Sequence, residues 1–328
     1  MSDPLHLLAQ NPFELTFRPI TVEDLDEWYA LVLRIFEAEK PVWHEQREDL
    51  QNALNSTKND PRFDTVIGFD QQGVARAFAR VSKNPEGEKA YLFGGVDPLW
   101  QRRGIGSALL GWQQAQAARR FESDGQSPVV VRKFADQSNL AELALCDSAG
   151  YSVVRYFAEM RRPLADPIPE IPLDEGLELK TFSSELSEQV RLAHNEAFAD
   201  HWGSEPRDQE SWGFLIDHPH MRADWSTVVI DTANGEIAGY QIANYDPEVL
   251  QTHGRNEGYT ELLGVRRAYR GRRIAAVLLA EAMQRFSASG MDWAALDVDT
   301  ENPTGAYGLY ERLGYQPHNR SMAYDKEL

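Results

Sequence analysis

The chain carries one long pattern twice. Gly94 to Leu110 reads GGVDPLWQRRGIGSALL, Leu263 to Leu279 reads LGVRRAYRGRRIAAVLL, and the two align without a gap. Further along, LCDSAGY (Leu145 to Tyr151) matches LYERLGY (Leu309 to Tyr315), in the same order and at nearly the same spacing. Self-similarity at such a period constrains the fold strongly, because each copy must form one unit of structure. A chain of 328 residues has room for two domains of ordinary size. Between the copies lies RPLADPIPEIPLDEG, Arg162 to Gly176, with four prolines and no helical periodicity, which is the composition of a linker. The expected layout is an N-terminal domain over 1–162, a linker over 163–176 and a C-terminal domain over 177–328.

Both halves read in the same order. FELTFRPI is a strand, and Thr21 caps a helix to about Lys40 in which Leu25, Trp28, Tyr29, Val32, Ile35 and Phe36 recur at helical spacing. A more polar helix follows Val42. FDTVIGFD, VARAFARVS and AYLFGGVD are strands separated by the turns DQQG and KNPEGE. A helix then runs from the glycine loop to about Arg120, followed by the strand SPVVVRKF, a helix over Asn139 to Ala149 and the strand YSVVRYFAEMRR. The second half repeats this with LELKTF, a helix over Leu186 to Ala199 and a strand pair around the Asn-Gly turn of STVVIDTANGEIAGYQIANY. EGYTELLGV, the RGRRIAAVLL helix, DWAALDVD, a helix around Tyr307 and YQPHNRSMAYDKEL complete it. Strands first, then strand–helix–strand–helix–strand, give an α/β fold with a mixed sheet in each domain.

Composition narrows the partners. No apolar run nears the roughly 20 residues that span a bilayer, and MSDPLHLLAQNPFEL lacks the basic flank and apolar stretch of a signal peptide. A single cysteine, Cys146, forms no internal disulfide framework and no CxxC or Cys/His metal pattern. A cytoplasmic protein without a bound metal is expected. The net charge of -18 repels nucleic acid and anionic membranes on average. Against that background Arg102, Arg103, Arg266, Arg267, Arg270, Arg272 and Arg273 cluster in the two repeated loops, which points to a specific anionic ligand.

A basic loop of small residues between a strand and a helix presents free backbone N–H groups, reinforced by the helix dipole, to an anion. Glycine lets the backbone approach a phosphate closely. No Gly-Lys-Ser/Thr follows, so this is not a P-loop, and the position of a third dinucleotide-fingerprint glycine is Leu109.

The pattern V-x(4)-[QR]-x-x-G-x-[GA] before an apolar helix, then an asparagine-bearing stretch leading into LYERLGY, resembles the GNAT superfamily of acyl-CoA-dependent N-acetyltransferases. Each half is similar to one GNAT domain, in a layout like that of the mycothiol synthases though not specific to them. The resemblance implies a mostly antiparallel sheet that splays at the acyl-CoA site. It implies that coenzyme A pyrophosphate rests on Gln101, Arg102, Arg103, Gly104, Ile105 and Gly106 in one copy, and on Arg270, Gly271, Arg272, Arg273, Ile274 and Ala275 in the other. The preceding strand, through Val96 or through Leu263 and Val265, would bond the pantetheine arm. Asn302 fits an asparagine that touches that arm, and equally fits a helix cap.

Acetyl transfer to an amine is helped by a base, a proton donor for the leaving thiolate and an N–H near the carbonyl. By resemblance the base position is Glu261, against Leu92 in the first half. The acid position is Tyr310, against Cys146. Glu261 as a solvent-facing or arginine-paired carboxylate, and Tyr310 as a packed aromatic, are the bland alternatives. The first half has the better glycine loop and neither proton-transfer group. The C-terminal half is therefore expected to catalyse, by direct attack of a small-molecule primary amine on acetyl-CoA in a ternary complex. The N-terminal half is expected to be a degenerate copy that either still holds coenzyme A or is structural. Asp200, His201, Trp202 and Trp212 mix acidic and aromatic side chains that suit a cationic amine, or simply pack a loop. The alternative from another class is a non-catalytic acyl-CoA-binding sensor. Monomer and homodimer are both open.

Overall fold

The computed structural model describes residues 4–9, 13–302 and 305–328. The chain forms two compact units, one of residues up to Tyr156 together with Ser321–Leu328, the other of Phe157–Arg320. The boundaries fall inside two strands and not in the proline-rich segment. That segment packs on the second unit: the Leu164 N–H donates to the Asp292 carbonyl at 2.8 Å, and Ile168, Ile171 and Leu173 lie against that unit's apolar clusters.

In the first unit the strands are β1 (Thr16–Arg18), β2 (Thr65–Phe69), β3 (Ala75–Ser82), β4 (Ala90–Val96) and β5 (Val130–Asp136). They pair in chain order, antiparallel except for the parallel β4–β5 pair. Strand β6 is Ser152–Pro163. In the second unit β7 (Leu177–Thr181), β8 (Thr227–Asp231), β9 (Ile237–Asn244), β10 (Glu257–Val265) and β11 (Trp293–Asp299) pair in the same way, with β10–β11 parallel. Strand β12 is Gln316–Glu327. Its end, Ser321–Glu327, pairs antiparallel with β5 and closes the first unit's sheet. Phe157–Pro163 of β6 pairs with β11 and closes the second.

A parallel pair needs a crossover, and each unit supplies a long helix. The helices used below are α1 (Leu25–Glu39), α2 (Ile105–Ser123), α3 (Leu140–Ser148), α4 (Ser187–Phe198), α5 (Gln209–Ile216), α6 (Ile274–Ala288) and α7 (Ala306–Arg312). Thr21 starts the first helical segment through a capping box, with both its N–H and its hydroxyl 2.8 Å from the Asp24 carboxylate. Trp28 and Leu31 of α1 pack on Ile67 and Phe78. On the other face of the sheet, Leu109, Trp112 and Phe121 of α2 pack on Val66, Leu92 and Val131. The second unit repeats the sandwich, with Leu279, Met283 and Phe286 of α6 on one face and Val190 and Ala193 of α4 on the other. Among the described residues no helix is long and apolar enough to cross a membrane.

The feature that positions a site is where the parallel pairs stop. In the first unit β4 meets β5 only at Ala90–Val131 and Tyr91–Arg132. In the second, β10 meets β11 from Glu257–Trp293 to Thr260–Leu296. Beyond those pairs the strands part, so each sheet is splayed on the side of its phosphate-type loop.

The closing strand of the first unit is held by more than its ladder. The Arg132 guanidinium is 2 % exposed and forks onto Asp325 at 2.7 and 2.8 Å. Asp325→Ala removes both of these charge-assisted bonds from a nearly enclosed guanidinium, so it should cost about 1–3 kcal/mol, read as a lower urea midpoint of the full chain.

Candidate active sites

The two loops share one backbone. In the ungapped alignment Arg102 corresponds to Gly271 and Gly104 to Arg273. All four are left-handed, with φ of 61° at Arg102, 84° at Gly104, 81° at Gly271 and 58° at Arg273. Each loop thus contains one left-handed glycine and one left-handed arginine, in exchanged places. Gly106 corresponds to Ala275 and lies inside α2. A Cβ there would meet only Leu145 Cδ2 at 3.6 Å. The loop backbones are therefore matched, and the glycine that distinguishes the first loop sits at a helical position where the fold itself leaves room for alanine.

Beneath the first loop is a cavity of about 410 Å³, lined by β4, the start of α2 and α3. Val96, Gln101, Arg102, Gly104, Ile105 and Gly106 all border it. Gln101 donates to the Glu39 carboxylate at 2.6 Å and to the Val96 carbonyl at 3.4 Å, and Asn139 donates to the other Glu39 oxygen at 2.8 Å. Burial raises the Glu39 carboxyl above its ordinary value. Arg103 turns away, donating to the Leu99 carbonyl and lying 4.5 Å over the Trp100 ring. Deeper in, Lys133 pairs with Glu142 at 2.6 Å. Cys146 is fully enclosed, and burial pushes its thiol up to about 11, so it is a protonated, apolar filler.

In the second unit the loop arginines contact acids and carbonyls of their own unit. Arg270 donates to the carbonyls of Val265 and Ala197. Arg272 and Arg273 lie 3.1 and 3.6 Å from Asp174. Arg266 pairs with Glu196 and Glu236, and Arg267 with Asp200. Gly271 and the turn before Ile274 and Ala275 leave the backbone N–H groups at the start of α6 pointing out of the helix end, where no intrahelical acceptor exists. Leu263 and Val265 lie on the part of β10 that has left β11.

Strand register separates the two units. In the first, β3 and β4 pair without interruption from Ala77–Val96 to Ser82–Tyr91. In the second, β9 and β10 pair from Gly239–Val265 to Ile242–Leu262, then resume at Ala243–Thr260 and Asn244–Tyr259. Glu261 is the extra residue of a β-bulge. Position by position, Tyr91 answers to Tyr259, Leu92 to Thr260 and Phe93 to Leu262. Leu92 is thus not the counterpart of Glu261, which has none. A bulge bends its strand and re-aims a side chain, and this one lies immediately beyond the last β10–β11 pair. The Glu261 carboxylate accepts from Asn244 at 3.3 Å.

Tyr310 lies in α7, 8 % exposed, with its ring 6.2 Å from Tyr315. Burial pushes its hydroxyl up to about 12, so it keeps its proton at neutral pH. Asn302 lies 3.3 Å from the His201 ring nitrogen Nε2, and His201 is tilted against Phe198. Trp202 lies 6.3 Å from Phe157. Asp200 is on the surface with Arg267. Trp212 of α5 is a core residue, 4 % exposed, donating its indole N–H to Ser187 at 2.9 Å and packing on His194. Sequence reasoning passed over Asp297 and Glu159, which share the crevice with Glu261; the visible signal was that the repeats diverge at this strand, VVRKFAD in one and WAALDVD in the other.

Comparison with known proteins places this geometry. The family model described as the acetyltransferase (GNAT) family matches residues 187–315. The mycothiol acetyltransferase of Salinispora arenicola is 31 % identical over 248 residues, covering 70 % of this chain and 71 % of that protein. The crystal structure of a GCN5-related N-acetyltransferase from Sphaerobacter thermophilus superimposes with a TM-score of 0.72 at 24 % identity, over 96 % of both chains. A tandem GNAT protein from the clavulanic acid biosynthesis pathway gives a TM-score of 0.69 at 16 % identity, over 96 % of this chain and 98 % of that one.

The loop geometry makes a stability prediction. Gly104→Ala and Gly271→Ala force a left-handed residue with a Cβ and should each cost about 1–2 kcal/mol. Gly106→Ala should be neutral or stabilise by up to about 1 kcal/mol, because glycine is unfavourable inside a helix. Thermal unfolding of the three variants checks the ordering.

Proposed function

The chain belongs to the GNAT acetyltransferase family, and on that premise we propose that its second unit moves an acetyl group from acetyl-CoA to the primary amine of a small molecule. The observation that carries this reading is the one-residue insertion of Glu261 at the lip of the second crevice, which the first unit lacks.

The residues fit the cosubstrate. The turn through Arg270, Gly271, Arg272 and Arg273 and the start of α6 at Ile274 and Ala275 offer N–H donors to a pyrophosphate. The freed edge of β10 at Leu263 and Val265 offers backbone groups to an extended amide arm. Asn302 stands beside the crevice with His201. Acetyl-CoA supplies the activated carbonyl and the thiolate leaving group.

The chain's own groups then divide the work. We assign the backbone N–H groups at the bulge to the carbonyl oxygen on which charge develops, since fixed donors of that kind lower such a barrier. Glu261 accepts the proton that the amine nitrogen loses as it attacks, directly or through water. Tyr310 holds its proton at neutral pH and donates it to the departing sulfur. On the acceptor side we retain His201 and Trp202, with Asp200 reaching the surface rim through Arg267; Trp212 serves that wall from within the core. The first unit keeps the same loop backbone and an open cavity, with Cys146 where Tyr310 stands, and we assign it coenzyme A binding without chemistry.

The relatives named as mycothiol acetyltransferases make a thiol-bearing amine the first acceptor to test. Glu261→Gln and Tyr310→Phe should each lower kcat/KM for the amine by about 100-fold or more, the usual range for a lost general base or acid, while calorimetric acetyl-CoA affinity stays unchanged. Unaltered turnover in both variants would remove these assignments. Tight acetyl-CoA binding with no turnover on a broad amine panel would favour the sensor.

A further inference from the structure

The proposed reaction leaves Asp297 unassigned. On β11 it directly follows Leu296, the last residue paired with β10, as Glu261 directly follows Thr260 on the other side. The two carboxylates stand on the opposite lips of one opening. The Tyr259 hydroxyl donates to Asp297, and Glu159 lies directly across from it in the β6–β11 register.

The charges around it are unevenly matched. Arg161 pairs with Glu159 and with Glu257 at 3.4 Å. Arg255 pairs with Glu257 at 3.0 Å and lies 4.0 Å from Glu159. Those two acids thus take the guanidiniums on β6 and before β10, while Asp297 is flanked by Glu159 and Glu261 with Tyr259 as its hydrogen-bond donor. Enclosure by the crevice, then the charges of Glu159 and Glu261, push its carboxyl up to about 7, against the opposing pull of Tyr259 and Arg161. Asp297 is nevertheless open to solvent. The first unit has no such acid. By register Phe134 occupies the place of Asp297, its ring parallel to Tyr91 at 6.4 Å.

We propose that Asp297 is a second acid of the acceptor site, which with Glu261 receives the acceptor's ammonium group and takes its first proton. This rests on the reading of the second unit as catalytic. An N–H bond of the ammonium breaks, its electron pair stays on nitrogen as the attacking lone pair, and the proton passes to a carboxylate oxygen of Asp297. The nitrogen's next proton goes to Glu261 as the C–N bond forms and the C–S bond breaks. Tyr310 protonates the sulfur and is reprotonated by way of Glu261, and Asp297 releases its proton to solvent. The balance is one ammonium and one thioester in, one amide, one thiol and one proton out.

The test uses the full chain with cysteamine as the ammonium probe. In a carbon-13 titration of aspartate carboxyls, the signal missing from Asp297→Asn identifies this group. Its midpoint should lie near 7, and saturating cysteamine should lower it by about one unit, since a nearby cation favours the charged form. A midpoint in the ordinary aspartate range, or one that cysteamine leaves in place, overturns the proposal. In steady-state rates with acetyl-CoA, Asp297→Asn should lower kcat/KM for the amine by about 10- to 100-fold, abolish the pH limb near 7 and leave the KM for acetyl-CoA within about twofold; Asp297→Glu should recover part of the rate. Wild-type rate and pH profile in Asp297→Asn beside an inactive Glu261→Gln sinks this proposal and leaves the catalytic reading standing. Full activity in both variants sinks both.

Discussion

The structure depends on two parallel strands that stop pairing. β10 and β11 share a ladder only as far as Thr260 and Leu296. Past that point one edge of β10 has lost its strand partner, in a molecule where backbone N–H and C=O groups demand partners. An extended ligand arm with its own amide groups can supply them. The strand continues straight into the arginine-rich turn and the start of α6, so a donor edge and an anion site lie in line. A ligand with a long amide-bearing arm and a pyrophosphate at its end matches both at once.

The two units share this frame and differ in what stands around it. Their loops adopt one conformation with glycine and arginine exchanged between the two left-handed positions. The loop backbone is thus common to both. At the reacting end of the crevice the second unit has one extra residue in β10, a buried protonated tyrosine and an aspartate, and the first has an uninterrupted strand, a buried cysteine and a phenylalanine. Two similar loops thus accompany crevices that differ by three polar groups, which is the physical basis for assigning the chemistry to the second unit.

Much of the fold was legible. Helical spacing in α1, the Asn-Gly turn before Glu236, and the alternation of strand and helix gave a mixed sheet in each half, because these signals are local. What escaped was what register decides. An ungapped match from Gly94 and Leu263 onward extends backward onto Leu92 and Glu261, and nothing in the letters shows that Tyr259–Val265 holds one residue more than its counterpart Tyr91–Val96. The number of glycines favours the first loop, although Gly106 is helical and needs no special backbone. The repeat also suggested that each half closes on its own last strand, whereas Ser321–Glu327 closes the first sheet and Phe157–Pro163 the second. Trp212 looked like a pocket aromatic and is a core residue, since an amphipathic helix shows its spacing but not which cluster it joins.

On the proposed reading the bulge, and not the phosphate-type loop, makes the second unit reactive. Deleting Glu261 outright tests it, because the shortened β10 then has the uninterrupted register seen in β4. The deletion variant should fold, bind acetyl-CoA as before and transfer no acetyl group to any amine the parent accepts. Acetyl transfer at the parent rate from the deletion variant would contradict it.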